Sequence, residues 1–338
     1  MSYRGIRVLF QLLSIAAPSG CGGEGEPGDS NTPPESSQFV AAETETGGET
    51  AKGNEDPARK SEVTVDASSA AVERAEIPRD MLGVPGGTFT MGADKVGEAD
   101  EQPAHDVTLK PFLLDRTEVT NRAYKKCVAA EVCRQRKQPC VKGDRLAPEK
   151  MFLGGSHPVS CVSHDDAETY CRWLGRRLPT EAEWERAARG SDARRFPWGD
   201  ETPDEKRGVF RGRVTQPVGS CPAGAGPYGH LDMAGNVWEW LADRYDPFAY
   251  RRETVVQGVP AGCDEILRTQ DALRRKGLEG FTGSNPIPTE CEYCLRGGAF
   301  NYGGGGLRSS NRVHHPGDWR IIMAGFRCAA DWAEGPVD

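Results

Sequence analysis

Between about Met81 and Trp332, glycine and proline recur so densely that long helices have no room to form; the chain holds 41 Gly and 24 Pro in 338 residues. Proline removes a backbone donor and fixes φ, and glycine gives up more conformational freedom on folding than any other residue. Regular structure in such a chain must come in short pieces joined by many loops. Three capped helices are legible. Thr120 opens one, with Ala123, Tyr124, Cys127 and Val128 inward. Ser163 opens a second, with Asp166 three residues on, an apolar stripe of Ala167, Tyr170, Cys171 and Leu174, and Gly175 as the stop. Pro179 ends the preceding segment and Thr180 opens a third, with Glu183 completing a capping box and Trp184, Ala187 and Ala188 on one face. Val84 to Gly92 reads as a strand pair around a Pro-Gly turn, and Val107 to Asp115 as one further strand. After the third helix the pattern is loop and short strand, with no repeat of solenoid length.

The N-terminal part obeys different rules. Arg4 and Arg7 precede a largely apolar run from Val8 to Ala17, an export signal too short to span a bilayer. Ser19-Gly20 before Cys21 gives a bacterial lipoprotein-type processing site, so residues 1–21 are expected to be a signal peptide with lipidation at Cys21. A plain cleaved signal near Ala17 or Gly20 is the alternative. Residues 22–80 carry 14 acidic and 5 basic side chains, and Phe39 is their only aromatic. Such a stretch cannot bury enough apolar surface to offset its ordering entropy, so it is expected to be a disordered acidic tether. The whole chain is −8, so the remainder, a domain over residues 81–335, is nearly neutral. No basic patch with interleaved aromatics points to nucleic acid. The expected setting is the bacterial cell envelope, at the outer membrane through an N-terminal lipid.

Ten cysteines besides Cys21 form an even set, which with an export signal reads as disulfides. Cys127, Cys133, Cys140 and Cys161 are clustered and are expected to pair among themselves. Zinc is the rival reading for Cys291-x-x-Cys294, but a second pair at zinc spacing is missing.

Several fragments, in order, carry a family resemblance: Gly86 to Gly92, Glu118-Val-Thr-Asn121 with Tyr124, Pro158-Val159, Val162-Ser163, Asp166-Ala167, and Tyr170-Cys171-x-Trp173. Arg177-Leu-Pro-Thr-Glu-Ala-Glu-Trp-Glu-Arg-Ala-Ala-Arg189, Phe196-Pro-Trp-Gly199, Asp232-Met-Ala-Gly-Asn-Val-Trp-Glu-Trp240, Arg296-Gly-Gly298 and Gly325-Phe-Arg-Cys-Ala-Ala330 complete the series. Together they resemble the formylglycine-generating enzyme (sulfatase-modifying factor) family over roughly 250 residues. The resemblance implies an α+β, loop-rich, disulfide-stabilised fold of few short helices and strands, an elaborated C-type-lectin-like domain. It implies a Cys171–Cys328 disulfide, and a structural calcium at Asn236, Val237 and Glu239, where an amide, a carbonyl and a carboxylate are suitably hard ligands. The family's other calcium loop is shorter here and is not carried over.

Active members of that family oxidise a sulfatase cysteine with Cu(I) and dioxygen, and two cysteines after the Arg-Gly-Gly motif hold the copper. Soft thiolates select Cu(I). In this chain Tyr302 and Leu307 stand at those two positions, and no cysteine lies between Cys294 and Cys328. No copper is therefore expected. Gly303 to Gly306 suit a loop over a concave site, or a loop with no role; Arg308 and Trp319 are the candidate groove residues. His314-His315 with Asp318 is the only close group for iron, yet adjacent strand side chains point to opposite faces. His105, His157, His164 and His230 are scattered and read as hydrogen-bonding histidines. A relative with an added iron-binding helical domain is disfavoured, since the tether cannot hold one.

These readings converge on a non-catalytic binding or assembly lipoprotein of the envelope, a pseudoenzyme whose partner is an unknown envelope protein or glycan. Two alternatives remain. One is a metal-dependent oxidoreductase of formylglycine-generating type acting on a protein cysteine. The other is a carbohydrate- or peptide-binding lectin-like module, for which Trp198, Trp238, Trp240 and Trp319 are possible platforms, although buried core tryptophans are the simpler reading.

Overall fold

The computed structural model describes residues 77–136, 140, 149–252, 260–278, 287–333 and 335–336. The signal peptide, Cys21 and most of the expected tether lie outside the described residues. Among the described residues, four α-helices and nine short strands make a mixed α+β fold. In chain order they are β1 (Met81–Val84), β2 (Gly87–Met91), β3 (His105–Leu109), β4 (Phe112–Asp115), α1 (Asn121–Ala129), α2 (His164–Trp173), α3 (Glu181–Arg189), β5 (Trp238–Arg244), α4 (Cys263–Arg275), β6 (Tyr293–Arg296), β7 (Val313–His315), β8 (Ala324–Gly325) and β9 (Ala329–Asp331). They form three sheets, ordered β1-β4-β9, β2-β3 and β7-β6-β5-β8, antiparallel except for the β5/β8 pair. Among the described residues no helix is long and apolar enough to cross a membrane.

The caps do what their chemistry dictates. Thr120 accepts from the Ala123 N–H, Ser163 and Asp166 exchange side-chain to backbone bonds, and Thr180 and Glu183 do the same. Each reciprocal pair satisfies two donors that the helix start would otherwise leave orphaned. Gly175 follows α2 at φ 69°, where a side chain would be strained.

Four sequence expectations need correction. Val84 to Gly92 is not a paired hairpin: β1 pairs with β4, and β2 pairs with β3. Val107 to Asp115 is not one strand either. Pro111 lacks the N–H that a continuing ladder needs, so the chain leaves one sheet at Leu109 and enters another at Phe112. Leu174 is the C-cap of α2 and 38% exposed, just beyond the turn whose stripe it was expected to join. Helix α4 was read as loop, although Ile266, Gln270 and Leu273 recur at helical spacing and are buried, with Asp264 and Glu265 in the first turn and Arg274 and Arg275 in the last.

The main apolar cluster joins α1 and α2 to the third sheet through Tyr124, Tyr170, Trp240, Phe300 and Phe326. A second cluster packs α3, through Trp184, Ala187 and Ala188, against Val84, Phe112, Leu114 and Leu241. Four disulfides join described residues: Cys127–Cys133, Cys140–Cys161, Cys171–Cys328 and Cys263–Cys291. Cys291 thus anchors α4 to the segment just before β6, whereas Cys294 is a buried free thiol.

The Cys171–Cys328 bridge ties α2 to the last strand across 157 residues. Closing a loop of that length removes on the order of 5 kcal/mol of chain entropy from the unfolded state. Replacing both cysteines by alanine is expected to cost about 2–5 kcal/mol and to move the denaturant midpoint down accordingly. An unchanged midpoint would show that the bridge contributes nothing.

Candidate functional site

The site implied by the sequence lies on the loop from Gly297 to Arg312. Two glycines turn the chain out of β6 in conformations closed to other residues, Gly297 at φ 101° and Gly298 at φ 82°. A Cβ on Gly298 would sit 2.8 Å from the Gly306 carbonyl oxygen and from Leu307 Cδ2, so the loop can fold back onto its own start only over glycine. The loop is then laced to the Asp232–Trp240 segment. The Gly235 N–H donates to the Gly297 carbonyl at 2.8 Å, and the Phe300 N–H to that of Asn236 at 2.9 Å.

Within this frame Tyr302 is half-buried, its ring edge-on to Trp238 with centroids 5.1 Å apart. Leu307 is fully buried beside Phe196 and Ala234, with Trp198 and Phe210 packed on the same cluster. The Phe196-Pro-Trp motif thus closes over the second of the two positions with hydrocarbon. Cys294, the free thiol, is on β6; its sulfur lies 3.9 Å from an Arg312 nitrogen, and burial pushes its thiol well above the usual range.

Arg308 donates to Glu101 and to the Gly305 carbonyl, while Ser310 donates to the same Glu101 at 2.7 Å. Burial opposes the Glu101 charge, but Arg308 and these donors outweigh it and hold the carboxyl below its ordinary value. Arg308 lines a cavity of about 440 Å³ with Lys95, Arg189, Arg195, Asp200 and Ser310. Trp319 is not in that wall; it is 43% exposed and stacks on His315 at 5.2 Å. Arg308 is thus held by Glu101, and Trp319 by its stack on His315. Trp238 and Trp240 are buried core side chains.

A larger cavity, about 1030 Å³, lies between β2–β3, the start of α3 and α4. Glu181, Asp243 and Tyr250 contribute its polar wall. Asp243 is raised to about 6, first by burial and then by Glu181. Glu181 itself is held at about 2, because Arg312 and Arg296 overcome its burial. No reading of the sequence singled out this cavity; the α4 periodicity was the signal that would have found its wall.

At the calcium stretch, Asn236 stands at φ 61° with its Oδ1 accepting from the Gln216 N–H at 3.0 Å. Glu239 is fully buried and bound twice by Arg327, at 2.7 and 2.8 Å, and once by the Trp184 indole N–H at 2.9 Å. Its charge is already balanced. The unmet oxygens nearby belong to Glu118, whose carboxylate is buried with no donor. Burial and Asp232 push the Glu118 carboxyl well up, and burial also raises Asp232. A shared proton or a bound cation would relieve this pair. The His314-His315-Asp318 group does not assemble: His314 is held by Glu292 at 2.6 Å, while His315 turns to Trp319.

Comparison with known proteins agrees with this geometry. The sulfatase-modifying factor enzyme 1-like domain model matches residues 67–332. A formylglycine-generating enzyme from Thermomonospora curvata is 33% identical over 310 residues, covering 76% of this chain and 95% of the relative. An inactive Cα-formylglycine-generating enzyme 2 from Mus musculus is 33% identical over 219 residues, covering 49% of this chain and 70% of the relative. Among solved structures, PvdO from Pseudomonas aeruginosa superposes with a TM-score of 0.54 at 29% identity, over 74% of this chain and 94% of that one. By its motifs, its fold and its relatives, the chain belongs to the sulfatase-modifying factor (formylglycine-generating enzyme) family.

Proposed function

We propose that this protein uses the family scaffold for binding or assembly in the bacterial envelope and does not perform copper-dependent cysteine oxidation. The observation that carries the reading is Leu307. The position where active relatives place a copper thiolate is filled by a fully buried side chain in an apolar cluster. Neither Leu307 nor Tyr302 supplies an anionic sulfur, and Cu(I) selects soft thiolate ligands. The Cys294 thiol does not substitute, because burial keeps it protonated and it faces Arg312. Copper-loaded protein is expected to leave a sulfatase-type cysteine peptide unchanged in the presence of oxygen. Turnover, read as the oxygen-dependent mass loss at the cysteine, would refute the proposal.

The disulfides support export, since such bridges persist in oxidising compartments. With the lipoprotein-type sequence at Cys21, we propose an outer-membrane setting, with an envelope protein or glycan as partner. Changing Cys21→Ser is expected to move the protein from the membrane to the soluble fraction; unchanged fractionation would remove the lipid anchor from this picture.

Calcium is retained as a structural ion, but with Glu118 and Asp232 as its carboxylates in place of Glu239. The support is the unmet Glu118 carboxylate beside a second buried acid. Hard oxygen donors suit calcium. At about 100 times its dissociation constant, calcium would stabilise the fold by about 2.7 kcal/mol. A rise in Tm with calcium, lost in Glu118→Gln, is expected. A Tm indifferent to calcium means that the pair shares a proton instead.

A further inference from the structure

His164 is the second residue of the Ser163–Asp166 capping box and the first residue of α2, yet it is only 4% exposed. Its ring is fixed from three sides. Nε2 lies 2.9 Å from the Leu241 carbonyl oxygen. Tyr293 stacks flat on the ring at 3.5 Å, and Trp240 meets it edge-on at 6.1 Å. A carbonyl only accepts, so Nε2 carries the proton and the neutral ring keeps its lone pair on Nδ1. That nitrogen is shut off from solvent and has no hydrogen-bond partner. The ligand-capable atoms of His164, Asp165 and Glu168 all lie within 4.8 Å of one another.

We propose that His164, Asp165 and Glu168 hold a divalent transition-metal ion of the zinc type. The donor set is one imidazole and two carboxylates, which suits zinc rather than calcium or magnesium. The bond from the other ring nitrogen to a backbone carbonyl is the support that metal-binding histidines characteristically have, because it fixes tautomer and ring orientation. Three protein ligands leave a further position for water or a donor from a partner.

The groups that oppose a cation here are few. Arg172 pairs with Glu168 at 2.9 Å, but both side chains are largely in water, at 68% and 47% exposure, so the pair exchanges at little cost. Arg244 faces the same neighbourhood, but it lies over the Tyr293 ring at 3.7 Å and donates to the Cys291 carbonyl. The positive end of α2 also disfavours a cation, an effect confined to the first turn and answered by two carboxylates. Ligand atoms around zinc at ~2.0–2.1 Å must draw closer than those in the free protein. Asp165 is exposed and Glu168 half-exposed, so rotamer changes at the surface supply that movement while His164 stays fixed.

The test uses the untagged exported chain, stripped with a chelator and titrated calorimetrically with zinc, with calcium as the control. One zinc per chain is expected, not displaced by calcium. Asp165→Asn combined with Glu168→Gln alters no buried group and is expected to weaken zinc binding at least ~10-fold, with Tm unchanged in the absence of metal. X-ray absorption is expected to show a nitrogen ligand at ~2.0–2.1 Å that His164→Gln removes. Absence of saturable zinc binding, or equal affinity in the double variant, would overturn the assignment.

Discussion

The structure depends on guanidinium groups taken wholly out of water. Arg296, Arg312 and Arg327 are buried beneath the surface, and none survives there without its carboxylates. Arg296 holds Glu181 at 2.9 Å and Glu185 at 2.8 Å; Arg312 takes both Glu181 oxygens at 2.7 and 2.9 Å. Desolvating such ions is expensive, and mutual attraction recovers the cost only where geometry and further hydrogen bonds are complete. Here they are close to complete. Arg296 also reaches the Tyr250 hydroxyl and the Ser309 carbonyl, and Arg312 the carbonyls of Asp100 and Asp246, with its guanidinium 4.5 Å from the Tyr250 ring centroid. Removing one partner of such a pair strands a charge, typically at 3–5 kcal/mol. These bonds connect α3 to β6, β7 and the loops between them, segments too short to hold one another by strand pairing alone.

This lattice explains why so many family motifs are charged and yet structural. In Arg177 to Arg189, Glu181 and Glu185 answer Arg296 and Arg312, and Arg177 pairs with Glu183 at 2.7 Å. The last motif brings Arg327 to Glu239, so the segment before β9 meets β5 over a bidentate contact. A sequence read for apolar periodicity sees the Trp184 face of α3 and treats its acids as solvated. Glu181 and Glu185 are in fact buried, and no helical-wheel argument foresees that, because their partners Arg296 and Arg312 lie more than a hundred residues away.

What the sequence made legible was local. Caps, helix faces and helix stops depend on neighbours within a few residues, and Thr120, Ser163, Gly175 and Thr180 could each be assigned from chain chemistry. Strand partners could not. The strand preceding the Pro85-Gly86 turn and the one following it look like a hairpin, but Phe112–Asp115 and His105–Leu109 compete for them and win. At the site, the identities at 302 and 307 were readable, whereas the burial of Leu307 and the capture of Arg308 by Glu101 were not. Both depend on segments, Phe196-Pro-Trp and Ala99–Glu101, brought in by tertiary packing.

The loop after β6 separates two kinds of constraint. Gly297 and Gly298 are fixed by geometry, since a Cβ at Gly297 would lie 3.2 Å from Trp184 and one at Gly298 would strike the returning chain. The Leu307 side chain packs against the same turn, where Gly298 leaves room for it, and Tyr302 packs edge-on to Trp238. A leucine at 307 adds apolar burial of roughly 1.5–3 kcal/mol where a thiolate would need a metal to tolerate the same enclosure. Leu307 is a core contact in its own apolar cluster, while the guanidinium lattice joins α3, β5 and β6 through other residues. The interactions that hold the fold together are therefore distinct from those around positions 302 and 307.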